Sequence, residues 1–262
     1  MKVKEITSAI EAYAPLAYQE SYDNSGMQVG NPDQEISGAL ITLDVTEEVI
    51  DEAIQKGCNL IIAHHPLIFR GQKKICGYNY IERCIIKAIK HDIAIYASHT
   101  CMDKTIGGVS AKMAEKLGMT EIRPLEKEKY GEQIVGLGVI GLLPQAEDAM
   151  DFLRRVKKTF QADSIRHTSI GKGKKVRRVA LCGGSASEFL GKAIAEQADI
   201  YITADVKYHQ FFEVEDHIIL ADIGHFESEQ FTKEIFYEII SKINPKFAVH
   251  ISESKTNPIN YL

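Results

Sequence analysis

Short apolar runs alternate with amphipathic segments along almost the whole chain. Ala39 to Leu43 predicts a strand, residues 47–56 predict a helix, and the apolar run 59–63 predicts a buried strand. Two parallel strands need a crossover connection between them, and a helix is the usual one. The alternation therefore predicts an α/β fold with parallel strand pairs.

The same pattern continues to the C-terminus. The other expected helices are 3–14, 80–91, 108–117, 149–160, 187–197, 207–214 and 227–243. The other expected strands are 93–97, 133–143, 164–170, 176–182, 199–204, 218–223 and 247–251. Residues 124–132 are charged and lack periodicity, so they predict a linker. This linker divides the chain into an N-terminal α/β lobe, 1–125, and a C-terminal α/β lobe, 126–262.

The two lobes follow one plan. The order strand, helix, strand at 39–63 recurs at 178–203, and in each half a later segment ends in a histidine, His99 or His225. We therefore expect two similar α/β lobes with mixed sheets. Ligands of open α/β sheets bind at the carboxyl ends of strands. A site is expected in a cleft where these ends of the two lobes face each other.

Composition limits the class of protein and its partners. Hydrophobic residues make up 45% and charged residues 26%, and the formal net charge is −5. This charge disfavours nucleic acid as a partner. The five cysteines are scattered and odd in number, which is typical of a reduced cytoplasmic protein and not of a disulfide framework. No apolar stretch is long enough to span a bilayer and the N-terminus has no signal core, so we expect a cytoplasmic protein without a membrane partner.

The first candidate site segment is NLIIAHHPLIF, residues 59–69, in which a buried strand runs into His64 and His65. Two adjacent histidines are costly to bury without partners. From this segment alone, metal binding and a pair of half-exposed loop histidines are equally supported. Neighbouring strand residues point to opposite sides. Each histidine could therefore serve a different one of two neighbouring ions.

The second candidate segment is SHTCMD, residues 98–103, again at the end of a strand. Asp103 is the candidate ligand, although it could instead terminate the turn before a helix. His99 could bind a metal or could orient Asp103 as an outer partner. Metal sites need such outer partners, and we favour that role for His99.

The third candidate segment is GHFESEQ, residues 224–230. His225 and Glu229 are four residues apart, so they share one face of a helix. This spacing occurs often by chance, but here it follows the end of a predicted strand. The position strengthens the prediction that both side chains are ligands.

Together the three segments supply three imidazoles and two carboxylates. The candidate ligands are His64, His65, Asp103, His225 and Glu229. Three nitrogen ligands favour zinc, iron, manganese, cobalt or nickel over magnesium or calcium. Five ligands suit two divalent ions with a bridging carboxylate. Two such ions can polarise a substrate and lower the pKa of a bridging water.

Other segments leave two interpretations open. His209 lies where it could touch a substrate or a ligand, or have no role. Arg70, Lys73 and Lys74 of the loop 69–80 could meet an anionic substrate or could form a solvated face. The turn 22–30 could line the cleft or be an ordinary surface turn.

The motifs in combination resemble those of a known family. DNSGMQVG, AHHPLIF, SHTCMDKTIGG, ITADVKYHQ and IGHFESE occur in the order and spacing of the Nif-three-like family of dinuclear-metal proteins, the GTP cyclohydrolase I type 2 homologues. The resemblance covers nearly the whole chain. This chain lacks the domain that longer members carry between their lobes. It also has Val139 where the family usually has an arginine.

The resemblance implies how the ligands are shared between two metal ions. It implies that His64 and His225 hold one ion, that His65 and Asp103 hold the other, and that Glu229 bridges them. It further implies a toroidal homohexamer with its metal sites facing an inner cavity.

The resemblance leaves the reaction open and assigns no catalytic residue. One hypothesis is a metal-dependent hydrolase that acts on a nucleotide or another small phosphorylated substrate, with the ring opening of GTP as its specific version. The alternative is a non-catalytic metal-binding or regulatory protein that acts through protein partners.

Overall fold

The computed structural model describes all residues, 1–262. Its helices are α1 (Val3–Tyr13), α2 (Glu47–Gln55), α3 (Tyr80–Lys90), α4 (Thr100–Lys104), α5 (Val109–Lys116), α6 (Ala149–Thr159), α7 (Leu190–Ala195), α8 (His225–Glu229) and α9 (Thr232–Ile243). Its strands are β1 (Gly26–Val29), β2 (Gly38–Thr42), β3 (Leu60–Ala63), β4 (Ala94–Ala97), β5 (Thr120–Tyr130), β6 (Gln133–Asp148), β7 (Arg166–His167), β8 (Lys175–Ser185), β9 (Ile200–Ala204), β10 (Ile219–Asp222) and β11 (Ala248–Ile251). None of the helices combines the length and the apolarity needed to cross a bilayer.

The chain folds into two compact units whose boundaries differ from the predicted 1–125 and 126–262. The first unit consists of residues 1–105 and 232–258, and the second of residues 106–231 and 259–262. The difference arises because β11, near the end of the chain, pairs in parallel with β2. Helix α9 precedes β11 and packs against α1, so it also belongs to the first unit.

The first unit contains a five-stranded mixed sheet in the order β1-β4-β3-β2-β11. Strands β4, β3, β2 and β11 are parallel, and β1 is antiparallel to β4. Every residue of β2, β3 and β4 is buried, as expected for apolar strands covered on both faces. Because these three strands are parallel, the residues that follow them emerge at one edge of the sheet.

The second unit contains a six-stranded mixed sheet in the order β5-β6-β8-β9-β10-β7. Strands β8, β9 and β10 are parallel and adjacent, like β2, β3 and β4 in the first unit. In the first sheet β4 pairs with the antiparallel edge strand β1, and in the second sheet β10 pairs with the antiparallel edge strand β7. The prediction of two similar α/β lobes with mixed sheets is therefore confirmed.

The segment 124–132, predicted as a linker, is part of an antiparallel hairpin of β5 and β6. Most of β5 is exposed and only Leu125 is buried, so the segment has too few apolar residues to be recognised as a strand. Gly131 has a φ of +61°, which suits a tight hairpin turn. A side chain at Gly136 would collide with the backbone carbonyl of Glu126 on the paired strand. The pairing, not the local pattern, makes this segment a strand.

Several other predicted elements differ in kind or in extent. The helix predicted at 227–243 is two helices, α8 and α9, and the helix predicted at 187–197 begins with a 3-10 turn. Only two residues of the predicted strand 164–170 form a strand, β7, and the turn 22–30 contains β1. The short helix predicted at 207–214 is a 3-10 helix, Tyr208–Phe212. Strand β6 continues to Asp148 beyond the predicted end at 143, and β8 continues to Ser185 beyond the predicted end at 182. The bounds of the remaining predicted elements lie close to the predicted ones.

Candidate metal centre

His64 and His65 directly follow β3 in the first unit, and each imidazole is held through its Nδ1 atom. The Nδ1 atom of the fully buried His64 lies 3.0 Å from the carbonyl oxygen of Ser98. Nδ1 of His65 lies 2.7 Å from a carboxylate oxygen of Asp44. A carbonyl or carboxylate oxygen only accepts hydrogen bonds, so the proton is assigned to Nδ1. In the neutral ring Nε2 then carries the lone pair that a metal ion requires.

Asp103 lies in the short helix α4, next to His64. One of its carboxylate oxygens is 3.6 Å from Nε2 of His64. The structure therefore brings these two predicted ligands together in one unit. The assignment of Asp103 and His65 to the same ion stays a prediction.

His99 belongs to the same cluster of histidines, with a different partner from the one expected. Its ring centroid is 5.2 Å from that of His64 and 5.4 Å from that of His65. One possible ligand atom from each of the three rings lies within 4.8 Å of the others. The Nδ1 atom of His99 pairs with Asp23 at 2.8 Å, and not with Asp103. His99 is thus placed as a further candidate ligand, and our expectation that it orients Asp103 is wrong.

Asp23 reaches His99 because the turn before β1 packs on the end of β4. Its second carboxylate oxygen accepts hydrogen bonds from the hydroxyl of Ser25 and from the backbone amide and hydroxyl of Thr100. Burial alone raises the pKa of Asp23, but the hydrogen bonds from His99 and Thr100 outweigh it and hold the pKa well below its usual range. Asp23 is therefore an anion that fixes the orientation of the His99 ring.

In the second unit, His225 and Glu229 lie on one face of α8, as their spacing predicts. Nε2 of His225 is 3.1 Å from a carboxylate oxygen of Glu229, and Nδ1 is 2.7 Å from a carboxylate oxygen of Asp205. Burial lowers the pKa of His225, but the negative charge of Glu229 and the hydrogen bond to Asp205 outweigh it and raise the pKa to about 11. The raised pKa favours a protonated His225 paired with Glu229, and two candidate ligand atoms converge at this pair.

Glu229 is only 3% exposed and owes its position to two glycines of β8. A Cβ atom at Gly184 would lie 2.3 Å from a carboxylate oxygen of Glu229, and one at Gly183 would lie 3.3 Å from its Cγ atom. Gly184 also has a φ of +66°, which other residues rarely adopt. Its backbone amide donates to the hydroxyl of Ser228 in α8. The glycines thus allow the end of β8 to approach the helix closely.

Three aspartates that orient histidine rings were not predicted from the sequence. Asp44 follows β2 by two residues, Asp205 directly follows β9, and Asp23 lies in the turn before β1. An acidic residue just beyond a buried parallel strand is the signal that could have identified the first two. Metal-binding histidines commonly donate their second ring N–H to such a carboxylate or to a carbonyl. The imidazole nitrogens and carboxylate oxygens of these residues are therefore donors of the type that transition metals accept.

The remaining candidates lie outside these clusters. His209 is exposed, and its ring packs against Tyr208 and Phe212. Arg70, Lys73 and Lys74 are exposed in the loop that follows the two adjacent histidines. None of these four residues belongs to a group of possible metal ligands in the structure.

Comparisons with solved structures identify the same fold elsewhere. A Staphylococcus aureus protein has a TM-score of 0.91 and 27% identity, over 100% of this chain and 99% of that chain. A Bacillus cereus protein described as related to NIF3 has a TM-score of 0.89 and 26% identity, with the same coverage.

Comparisons of sequence identify relatives of nearly the same length. A protein of Lactococcus lactis named GTP cyclohydrolase 1 type 2 homolog is 34% identical over 261 residues, covering 98% of each chain. A protein of the same name from Streptococcus pneumoniae is 34% identical over 100% of each chain. The family model described as Duf34/NIF3 (NGG1p interacting factor 3) matches residues 1–258. With this match and these relatives over its whole length, the chain belongs to the Duf34/NIF3 family.

Proposed function

We propose that this protein binds two divalent transition-metal ions and uses them to hydrolyse a nucleotide or another small phosphorylated molecule. The proposed ligands are His64, His65, Asp103, His225 and Glu229. One observation carries the proposal. In each of the three proposed histidine ligands, Nδ1 lies within hydrogen-bond distance of an oxygen acceptor. This arrangement is typical of metal-binding histidines, in which Nε2 is the ligand atom.

The division of the ligands follows the family resemblance. His64 and His225 would hold one ion, His65 and Asp103 the other, and Glu229 would bridge the two. The ions would be zinc, iron, manganese, cobalt or nickel, because the donor set is rich in imidazole. Two bound ions would supply Lewis-acid polarisation of the substrate and a water of lowered pKa. Asp44 and Asp205 would keep their histidine rings oriented and protonated on Nδ1.

The names of the relatives suggest a specific substrate. Two relatives at 34% identity are named GTP cyclohydrolase 1 type 2 homolog. We therefore place GTP first among the nucleotides to be tested. Metal-free and metal-loaded protein should be compared on a panel of nucleotides and phosphoesters. Metal-dependent turnover supports the hydrolase, and its absence across the panel leaves the non-catalytic, regulatory alternative.

Metal content of Glu229 variants tests the proposed centre independently of any substrate. If Glu229 bridges the ions, its charge offsets the repulsion between two cations, and Glu229→Ala should lower the affinity for both. His64→Ala should weaken mainly one ion. Glu229→Gln keeps the shape and removes the charge, so it should lie between the wild type and Glu229→Ala.

Elemental analysis after chelator titration measures these differences. The wild type should contain about two ions per chain, as a bridged pair requires. If Glu229→Ala retains both ions with unchanged affinity, the bridging assignment is wrong. If the wild type takes up neither zinc nor manganese, the metal proposal fails altogether.

Self-assembly and location complete the proposal. We propose a toroidal homohexamer, supported by the family resemblance, and a cytoplasmic location, supported by five cysteines that are all free thiols.

A further inference from the structure

The second unit contains a pocket of about 580 Å³ that is lined by none of the candidate metal ligands. Its volume is in the range of pockets that bind small molecules. One side is formed by the segment that begins at Arg166, and the other by the 3-10 helix Tyr208–Phe212 and the residues that follow it. Both sides belong to the same unit, so the pocket is complete within it.

The wall of the pocket is aromatic. Tyr208, Phe211 and Phe212 line it, and the residues Tyr208 and Phe212 are 70% and 66% exposed. The Tyr208 and Phe212 rings lie 5.4 Å apart at an interplanar angle of 68°. Leaving two neighbouring aromatic rings in water is unfavourable, and a flat ring placed against them would bury their faces.

Arg166 supplies hydrogen-bond donors beside this wall. Its Nη2 atom donates to the carbonyl oxygen of Val206 and to the carboxylate of Asp222, which anchors the guanidinium through one nitrogen. The guanidinium lies 5.5 Å from the centre of the Phe211 ring. The Nε and Nη1 atoms can donate to a ligand in the plane of the guanidinium. Because Nη2 is already occupied, neither two-nitrogen edge of the guanidinium is available, and Nε and Nη1 can each donate single hydrogen bonds to acceptor atoms on the edge of a heterocycle.

The charges around the pocket argue against a phosphate as the bound group. Arg166 is already paired with the buried carboxylate of Asp222. Glu215 and Asp216 also line the pocket, so its walls carry two carboxylates and one cation. An anion would meet net repulsion, whereas a neutral ring with N–H donors would not.

The pocket adjoins the part of the candidate metal centre that lies in the same unit. Arg166 contacts Val206, and the preceding residue, Asp205, holds the imidazole of His225. We propose that this pocket binds a planar, uncharged heteroaromatic ring of the nucleobase class. The aromatic side chains stack on the ring, and Arg166 donates to its acceptor edge. The inference that this ring is part of the substrate rests on the proposed function. The inference that the pocket binds such a ring does not.

Binding of nucleosides to the metal-free protein tests the pocket. Guanosine, inosine and adenosine carry a base without phosphate, whereas ribose 5-phosphate and inorganic phosphate carry the phosphate without a base. Calorimetry and saturation-transfer NMR in the presence of a chelator should detect at least one nucleoside and neither phosphate probe. Because no metal is present, a failure of the hydrolase proposal would not affect this result.

Single substitutions assign the binding to the pocket. Stacking on an aromatic side chain stabilises a bound base by about 1–3 kcal/mol, so Tyr208→Ala or Phe212→Ala should weaken binding at least about fivefold. Arg166→Lys keeps the charge and loses the fixed, planar Nε and Nη1 donors, and it should also weaken binding. Tyr130→Ala is the matched control, because Tyr130 is a half-exposed aromatic residue of the same unit outside the pocket. It should bind nucleosides like the wild type.

Three results would overturn the inference. The first is binding of ribose 5-phosphate or phosphate with no binding of any nucleoside. The second is nucleoside binding that the pocket variants leave unchanged. The third is that no nucleoside binds. If Tyr208→Ala and Phe212→Ala then also alter the molar mass in light scattering, the aromatic wall is a contact between copies of the chain. Nucleoside binding without metal-dependent turnover of nucleotides would retain the pocket and reject the hydrolase.

Discussion

The orientation of single side chains determines what the histidine clusters can bind. Asp44, Asp23 and Asp205 each hold one imidazole through its Nδ1 atom. Asp44 is itself fixed, because its second oxygen accepts a hydrogen bond from the hydroxyl of Thr256 at 2.8 Å. An imidazole that has lost such a partner can rotate and change its tautomer, and both changes weaken a metal ligand.

We expect Asp44→Ala to lower metal affinity by about 10- to 100-fold, the usual effect of removing an outer partner of a histidine ligand. Calorimetric titration with zinc or manganese measures this change. Asp51→Ala is a suitable control, because Asp51 is a carboxylate of the same unit that pairs with Lys87. Equal affinities of the two variants would show that Asp44 does not support the His65 imidazole.

A side chain at Gly184 is expected to displace the Glu229 carboxylate and to strain the backbone. In Gly184→Ala the new methyl group would lie 2.3 Å from a carboxylate oxygen of Glu229, and the residue would keep an unfavourable φ of +66°. Gly173→Ala is the matched control, because its φ is +70° and nothing lies within 4 Å of the new atom. Both variants carry the backbone strain, about 1–2 kcal/mol, so any further loss of stability in Gly184→Ala measures the displacement of Glu229.

Thermal unfolding and metal titration of both variants test this prediction. Gly184→Ala should be the less stable variant and the one that loses metal. Equal stability together with normal metal content would mean that Glu229 moves without consequence.

At the scale of secondary-structure elements, helix α2 is hydrogen-bonded to the segment that follows β11. The carboxylate of Glu52 accepts hydrogen bonds from Lys56, from the hydroxyls of Ser252 and Ser254, and from the backbone amide of Glu253. Burial alone raises the pKa of Glu52, but these hydrogen bonds outweigh it and lower the pKa from 4.5 to about 2. The folded state therefore favours the ionised carboxylate.

The resulting stability depends on pH in a defined direction. The contribution of Glu52 is present above pH 4.5, the value of the unfolded chain, and it is lost as the pH falls from 4.5 to about 2. Glu52→Gln should lower the free energy of unfolding by about 1–2 kcal/mol at pH 7, after allowance for partial solvent screening. Denaturant titrations at pH 7 and pH 3 should show a smaller difference from the wild type at pH 3. A difference that stays constant between these pH values would contradict the predicted pKa.

At the scale of the whole molecule, the proposed ring has a definite mass. Six chains of 29.3 kDa give about 176 kDa, and closed rings are a common form of homo-oligomer. Light scattering coupled to size-exclusion chromatography should give this mass for the wild type at micromolar concentration. A stable monomer would refute the homohexamer.

The sequence by itself determined the order of most helices and strands. Strands β2, β3 and β4 are recognisable as short apolar runs because they are buried on both faces, and α3 is recognisable by the periodicity of its one buried face. Neither pattern requires knowledge of the neighbouring elements. The sequence also determined the candidate ligands, because a histidine pair directly after an apolar strand, and a histidine and a glutamate four residues apart, are local patterns. These inferences needed only residues close to one another in the chain.

Only the tertiary structure decided which distant residues meet. The partners of the histidines lie 20 residues from His225, 21 from His65 and 76 from His99, distances that no local pattern encodes. Likewise β5 has almost no buried residue, and its pairing with β6 alone makes it a strand. The pairing of β11 with β2 decided the boundaries of the two units. In each case the determining interaction is long-range, since hydrogen bonds between strands and between side chains depend on proximity in space and not in sequence.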